Sequence, residues 1–153
     1  MLGPDRAPTP FTADEIRRGC PAGRTIRLLV ELDGQAAYLR LNRFVDCDEG
    51  GATIERQRLT IDGEAVGGTE ADRVTWHDLQ AHASFPARQT LIASEPLDLP
   101  LGVLDCLRYT VTDGPTVETF WFARTAPGMP VKYMTEEGGR VTSSVTMIGD
   151  EVA

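Results

Sequence analysis

The sequence predicts a mainly β (α+β) protein: a curled antiparallel sheet, or open half-barrel, with one or two short helices packed in or over its concave face. Two observations lead to this fold class. Segments in which apolar and polar residues alternate fill most of the 153-residue chain, and glycine-containing turn signals separate them. Helix starts, in contrast, are found at only two places. A sheet this long has to curl so that a helix can cover its apolar face.

Four turn signals fix the order of the predicted hairpins. They are Asp33-Gly34, Asp62-Gly63, Asp113-Gly114 and Glu137-Gly138-Gly139. The alternation around them predicts strands over residues 26–32, 37–45, 53–61, 88–94, 103–112, 116–124, 130–135 and 140–148. Residues 46–51 and 63–73 are polar and rich in glycine, so we expect them to be connections. At least seven antiparallel strands and no parallel βαβ unit are therefore expected.

The first predicted helix begins after Thr12. Thr12 is a favourable N-cap, and Glu15 stands three residues later, where it completes a capping box. Phe11 and Ile16 occupy the two positions of a hydrophobic staple. Gly19 then ends the helix.

The second predicted helix begins in the same way at Thr75 and runs to about Ala83. Asp78 takes the third helical position of its capping box. Trp76, Leu79 and Ala83 fall on one stripe, which suits a helix packed into the concavity of the sheet. We therefore expect Trp76 to belong to the core rather than to a ligand platform.

Charge and composition exclude several classes of function. The formal net charge is −8, and Lys132 is the only lysine among 15 basic residues, so the clustered cations that bind nucleic acid are not expected. No stretch approaches the roughly 20 apolar residues of a membrane helix. The N-terminus carries no signal-peptide pattern, which predicts a cytoplasmic protein that is not membrane-embedded.

The length is typical of one domain. Prolines at positions 4, 8 and 10 predict a flexible N-terminal arm over residues 1–10, followed by a single β-rich domain over residues 11–149. Cys20, Cys47 and Cys106 are odd in number and widely spaced, a pattern that favours three reduced thiols over a disulfide framework.

Candidate catalytic and metal sites are weak. His77 and His82 are five positions apart on a helix, unlike the i, i+4 pair of a zinc helix, and we expect His82 to pair with Asp78 at the surface. The acidic loop at 46–51 resembles a calcium loop only superficially, because Gln57 stands where the bidentate acid is required. No nucleophile elbow or phosphate loop is found. We expect no cofactor and no metal, and the sequence leans against an enzyme.

The last third of the chain resembles a known family. In residues 101–148 a strand with Cys106 and Tyr109 precedes a strand with the pair Trp121-Phe122, followed by a proline-glycine turn and a strand reading PVKY (130–133). This order is similar to the C-terminal half of an uncharacterised bacterial domain family whose fold resembles the lipoprotein carriers of the Lol pathway. The resemblance implies a half-barrel whose concave side holds an acyl chain or another apolar group. It implies no catalytic set.

The residues themselves favour a structural role for the turn at 127–130, with its prolines at a sheet edge. Strand periodicity places Phe120 and Phe122 on one face and Trp121 on the other. An apolar ligand wall is therefore expected from aromatic and methionine side chains, namely Tyr109, Phe120, Phe122, Met134 and Met147.

The function expected is a non-catalytic binding domain for an apolar small molecule, an acyl group or a peptide segment. Two alternatives stay open. The first is a structural or protein-interaction module whose cavity is plugged by its own helix. The second is a small enzyme that uses a carboxylate in the cavity.

Overall fold

Nine antiparallel strands in one open sheet, with two short α-helices, make up the computed structural model, which describes residues 5–152. The elements in chain order are α1 (Ala13–Gly19), β1 (Arg24–Leu32), β2 (Tyr38–Val45), β3 (Gly51–Leu59), β4 (Ala65–Thr75), α2 (Trp76–Ala81), β5 (Thr90–Leu99), β6 (Gly102–Asp113), β7 (Thr116–Ala123), β8 (Lys132–Glu137) and β9 (Arg140–Val152). The sheet does not close into a barrel, and the predicted fold class is confirmed.

The strand order across the sheet is β4-β3-β2-β1-β9-β8-β7-β6-β5. Every neighbour along the chain is therefore a neighbour in the sheet, except that α2 carries the chain from the β4 edge to the β5 edge. The four predicted glycine turns connect β1 to β2, β3 to β4, β6 to β7 and β8 to β9. β1 and β9 pair at the middle of the sheet and join its two halves.

The prediction of a loop over residues 63–73 is wrong, because β4 occupies Ala65–Thr75. Its side chains are exposed, with Val74 alone half-buried, so the strand shows no apolar alternation. Backbone pairing with β3 holds β4 in place. β5 also continues to Leu99, beyond the predicted end at residue 94, and it carries Pro96 at the edge of the sheet, where a missing N–H is tolerated.

Both helices begin as predicted. Thr12 with Glu15, and Thr75 with Asp78, form complete capping boxes. α2 ends at Ala81, two residues before the predicted end. Within residues 5–152, no helix has the length and apolar character needed to cross a membrane.

Trp76 belongs to the core, as expected. It is 3% exposed, and its indole Nε1 donates to the carbonyl of Asp48 at 2.8 Å. The burial of the ring, with its polar atom satisfied, fixes the start of α2 against the loop between β2 and β3.

The segment predicted to be a flexible arm runs beside the end of α2 over its described part. The Ala7 N–H donates to the Phe85 carbonyl at 2.9 Å, and the Ala87 N–H donates to the backbone carbonyl of Asp5 at 2.8 Å. The Tyr109 hydroxyl donates to the carbonyl of Pro8 at 2.6 Å. Residues 1–4 of the predicted arm lie outside the described residues.

Arg24 links one end of the central β1–β9 pair to α1 and to the loop before β8. It is 2% exposed, and its guanidinium makes a bidentate pair with the carboxylate of Asp150, with both N–O distances at 2.9 Å. The remaining nitrogen donates to the carbonyls of Gly19 at 3.0 Å and Pro127 at 2.7 Å. The end of α1, the start of β1, the end of β9 and the loop before β8 are thus held by one side chain.

Replacing Arg24 with methionine should lower the free energy of unfolding by about 3–5 kcal/mol, because the change leaves buried acceptors without a donor. Urea denaturation measures the difference. The matched control is Arg27→Met on the same strand, where the side chain is exposed and the expected change is within about 0.5 kcal/mol. Equal losses in the two variants would contradict the role given to Arg24.

Candidate ligand-binding cavity

A cavity of about 280 Å³ lies between α2 with its following turn and the concave face of the sheet. Strands from both halves of the sheet contribute to it, as does the loop before β8. The lining residues are Asn42, Phe44, Ile54, Arg56, Leu79, His82, Ala83, Phe85, Phe120, Phe122, Gly128, Met129, Pro130 and Tyr133. Most of them are apolar, with a small number of polar groups, which is typical of small-molecule sites.

The strand register explains why these residues share a face. Tyr109 pairs with Phe120, Phe120 pairs with Tyr133, and Tyr133 pairs with Val145. Directly paired residues point to the same side of a sheet, so one row of side chains crosses the concave face. The curl of the sheet then brings this row opposite Phe44 and the other lining residues of β2 and β3.

Stacked rings form one wall of the cavity. The ring of Phe85, which follows α2, stacks on Phe120 with centroids 4.8 Å apart. Phe120 also lies parallel to Phe122 at 6.4 Å and to Tyr133 at 6.1 Å. Phe11, ahead of α1, contacts Phe122 edge-on at 6.3 Å. Ring pairs in these geometries stabilise the wall beyond the area that they bury.

Of the five predicted ligand residues, Phe120 and Phe122 line the cavity. Tyr109 and Met147 share their face of the sheet but are 2% and 0% exposed, and they lie in the core behind the cavity wall. Tyr109 contacts Phe122 edge-on at 5.3 Å. Tyr109 and Met147 therefore support the cavity wall and do not line the cavity.

Met134 lies on the opposite face of the sheet. It pairs in register with Thr119 and Ser144, which alternate with the cavity-facing residues of their strands. It is half-buried there. Trp121 shares this face, as the strand periodicity predicts, and its indole Nε1 donates to Glu95 at 2.7 Å.

The prediction that the turn at 127–130 lies at an edge of the sheet is wrong. β8 is an inner strand, and the prolines precede its ladder. Gly128, Met129 and Pro130 line the cavity. Gly128 has φ +133°, and a Cβ there would meet the Cys20 sulfur at 3.1 Å, so glycine lets the loop approach α1 closely.

Three polar side chains border the otherwise apolar cavity: Asn42, Arg56 and His82. Arg56 donates to Asp72 on the edge strand β4 at 2.7 Å. Asn42 Nδ2 lies 3.9 Å from the sulfur of Met129, a weak contact that joins β2 to the loop before β8. His82 is exposed, so it lies at the rim.

The sequence patterns did not predict that residues of β2 and β3 line the cavity. β2 carries Tyr38, Arg40, Asn42 and Phe44 at alternate positions, which gives the inner face a mixed polar and apolar pattern. The leucines on the other face of β2 dominate the apolar alternation. Arginine and aromatic residues alternate with leucines along β2. This alternation does not show which face of the strand is the concave one.

The structure does not show the predicted pairing of Asp78 with His82; Asp78 instead caps α2 through Thr75. The Asp78 carboxylate accepts from the Thr75 N–H at 3.3 Å, and the side-chain and backbone hydrogen bonds with Thr75 hold the pKa of Asp78 below its ordinary value. The nearby charge of His82 adds a smaller effect in the same direction. Asp78 is thus a helix cap.

The acidic loop at 46–51 is a turn closed by its own carboxylate. Asp48 accepts from the N–H groups of Gly50 at 2.9 Å and Gly51 at 3.0 Å, and its second oxygen accepts from Arg73 at 2.6 Å. These contacts lower the pKa of Asp48, the Arg73 hydrogen bond most strongly. Within the described part of the chain, no group of three or more histidine, cysteine or acidic residues is arranged to hold a metal.

All three cysteines are free thiols in the structure. Burial raises the pKa of each of them. For Cys20 the neighbouring Arg24 opposes this effect without cancelling it. The thiolate is the reactive form, so a raised pKa protects the two cysteines that are also inaccessible, Cys20 and Cys106.

Comparison of the chain with protein-family models and with curated proteins finds no match to either.

The two cavity phenylalanines should differ in the cost of truncation. Phe122 is 2% exposed, so Phe122→Ala should cost about 3–5 kcal/mol of unfolding free energy. Phe120 is half-buried and borders space that is already open, so Phe120→Ala should cost clearly less, about 1–2 kcal/mol. Chemical denaturation of the two variants measures the difference, and equal costs would contradict an open cavity at Phe120.

Thiol titration should separate the cysteines. In the native protein at mildly alkaline pH, a thiol reagent should modify the half-buried Cys47 first, because Cys20 and Cys106 are 0% and 1% exposed. In denaturant, without reductant, three thiols should react. Detection of one thiol in denaturant would mean that two cysteines are bridged, against the structure.

Proposed function

We propose that this protein is a non-catalytic binding domain that holds a small apolar molecule or an acyl group between α2 and the concave face of its sheet. The observation that carries the proposal is the cavity of about 280 Å³ with a wall of stacked aromatic rings. A fully plugged interaction module would instead fill this space with its own side chains.

The size of the cavity limits the ligand. Small-molecule sites span about 300–1,000 Å³, and this cavity of about 280 Å³ is just below that range. A single short chain fits this volume, whereas several long acyl chains require more space than the cavity offers.

The arrangement of the walls also supports a ligand that enters and leaves. One wall belongs to the continuous sheet. The opposite wall is a helix of six residues, Trp76–Ala81, followed by a turn with Ala83 and Phe85. Short elements at the surface open at low free-energy cost compared with a sheet. The resemblance of residues 101–148 to a family with a half-barrel fold adds a consistent expectation, a concave side that takes an apolar group.

Filling the cavity tests the proposal. Ala83, in the turn after α2, lines the cavity, whereas Ala81 at the end of α2 is exposed, so Ala83→Trp and Ala81→Trp form a matched pair. An apolar fluorescent probe should bind the wild type and the Ala81 variant with equal affinity. The Ala83 variant should lose most of the binding, because the indole occupies the site. Circular dichroism should show both variants folded.

Two outcomes would contradict this function. If no apolar probe binds the wild type, the interaction-module alternative takes its place. If the probe binds all three proteins equally, it binds a surface outside the cavity.

A further inference from the structure

Two buried polar atoms without hydrogen-bond partners belong to residues of β2. Among the side chains of residues 5–152, Arg40 Nε and Asn42 Oδ1 are the buried nitrogen and oxygen atoms that have no partner. The two residues are separated by one position, so both face the concave side with Phe44. Buried polar groups are normally paired, and unpaired ones cost free energy. Asn42 lines the cavity, and Arg40 is the next residue along the same face of β2.

The same part of the concave face carries three arginines. Arg40 is the direct register partner of Arg58 on β3, and Asn42 is the partner of Arg56. Like charges directly opposite each other in a sheet are destabilising. The folded protein therefore bears an electrostatic cost at this position, in a chain whose net charge is −8.

Little within the described residues compensates this charge. Arg56 pairs with Asp72 at 2.7 Å, and Glu70, its register partner on β4, forms no ion pair in the described structure. The guanidinium of Arg58 lies over the ring of Tyr38, 3.8 Å from its centroid. Neither Arg40 nor Arg58 has a carboxylate at ion-pair distance among residues 5–152.

The unpaired arginines lie next to the apolar cavity. Asn42 and Arg56 line it, and Arg40 and Arg58 stand two positions away on the same strands and the same face, roughly 7 Å distant at 3.3 Å per residue. An apolar space therefore ends in a positively charged surface. A ligand that matches both parts has a short apolar chain and an anionic head.

We propose that the ligand is an anionic amphiphile with one short chain, whose oxyanion is held by Arg40 and Arg58. This inference rests on the proposed function and names the chemistry of its ligand. The planar guanidinium groups are suited to a carboxylate or a phosphate, which they bind through paired hydrogen bonds. The anion would supply the partner that Arg40 Nε lacks and would screen the repulsion between the two arginines.

Asn42 is compatible with an anionic head. The amide group keeps its shape when it rotates by 180°, and rotation would turn its N–H groups toward the head. This rotation would break the weak contact between Asn42 Nδ2 and the Met129 sulfur, which are 3.9 Å apart. The side chain therefore serves as a donor to an anion at small cost.

Three ligands with the same chain test the proposal by calorimetry: octanoate, octyl phosphate and 1-octanol. At least one of the two anions should bind the wild type about tenfold more tightly than 1-octanol, because hydrogen bonds to charged groups are the stronger ones. The comparison of octanoate with octyl phosphate identifies which oxyanion the arginines prefer.

Arg40→Met and Arg43→Met are the matched variants. Arg43 is on the same strand but exposed on the opposite face. Arg40→Met should remove the preference for the anion and leave the affinity for 1-octanol unchanged, while Arg43→Met should behave as the wild type. Thermal unfolding should show Arg40→Met at least as stable as the wild type, because an unpaired donor and a like-charge contact are lost. Arg58→Met should give the same loss of preference.

The failure of this inference differs from the failure of the proposed function. Equal binding of the anions and 1-octanol to the wild type would overturn the anionic head and leave an apolar ligand. Equal loss in Arg40→Met and Arg43→Met would also overturn it, because the effect would come from overall charge. Binding of none of the three ligands would overturn both proposals.

Discussion

The cavity depends on the buried guanidinium of Arg24. Its bidentate pair with Asp150 fixes β1 against β9 near the end of their ladder, and its third nitrogen holds the carbonyls of Gly19 and Pro127. The loop that contains Pro127 continues into Gly128 and Met129, which form part of the cavity wall. One charged group therefore holds the loop that borders the cavity against the sheet. Each of the three nitrogens of this buried cation has a partner, and a displacement would leave an acceptor unpaired.

The buried Arg24 and the half-buried Arg40 differ in how their nitrogens are paired. Arg24 has a full set of partners and stabilises the packing around it, whereas Arg40 has a buried nitrogen with none. Natural proteins give up local stability at positions that serve binding. The same sheet therefore contains one guanidinium whose three nitrogens all have partners and one whose buried Nε has none.

Much of the fold follows from local patterns in the sequence. The capping boxes at Thr12 and Thr75 fix both helix starts, and the glycine turns fix the hairpins, because each of these signals acts over a few neighbouring residues. β4 was missed because its side chains are exposed and its stability comes from backbone pairing with β3, which leaves no trace in hydrophobic alternation.

The cavity was predicted only in part for a related reason. The periodicity of β7 identifies Phe120 and Phe122 as neighbours on one face, and both line the cavity. The residues opposite them, such as Asn42 and Arg56, come from the other half of the sheet. Their proximity depends on how strongly nine strands curl, and no single segment of the sequence contains that curvature.

The pairing of β1 with β9 has a consequence for how the chain reaches this structure. β1 to β4 and β5 to β9 are each series of hairpins, whose contacts join residues close in sequence, whereas Leu28 pairs with Met147 across almost the whole chain. The loop closed by that pairing is long, and its conformational entropy opposes the step until both halves have organised. We therefore expect the two meanders to form first and then to dock along the β1–β9 seam, which completes the cavity.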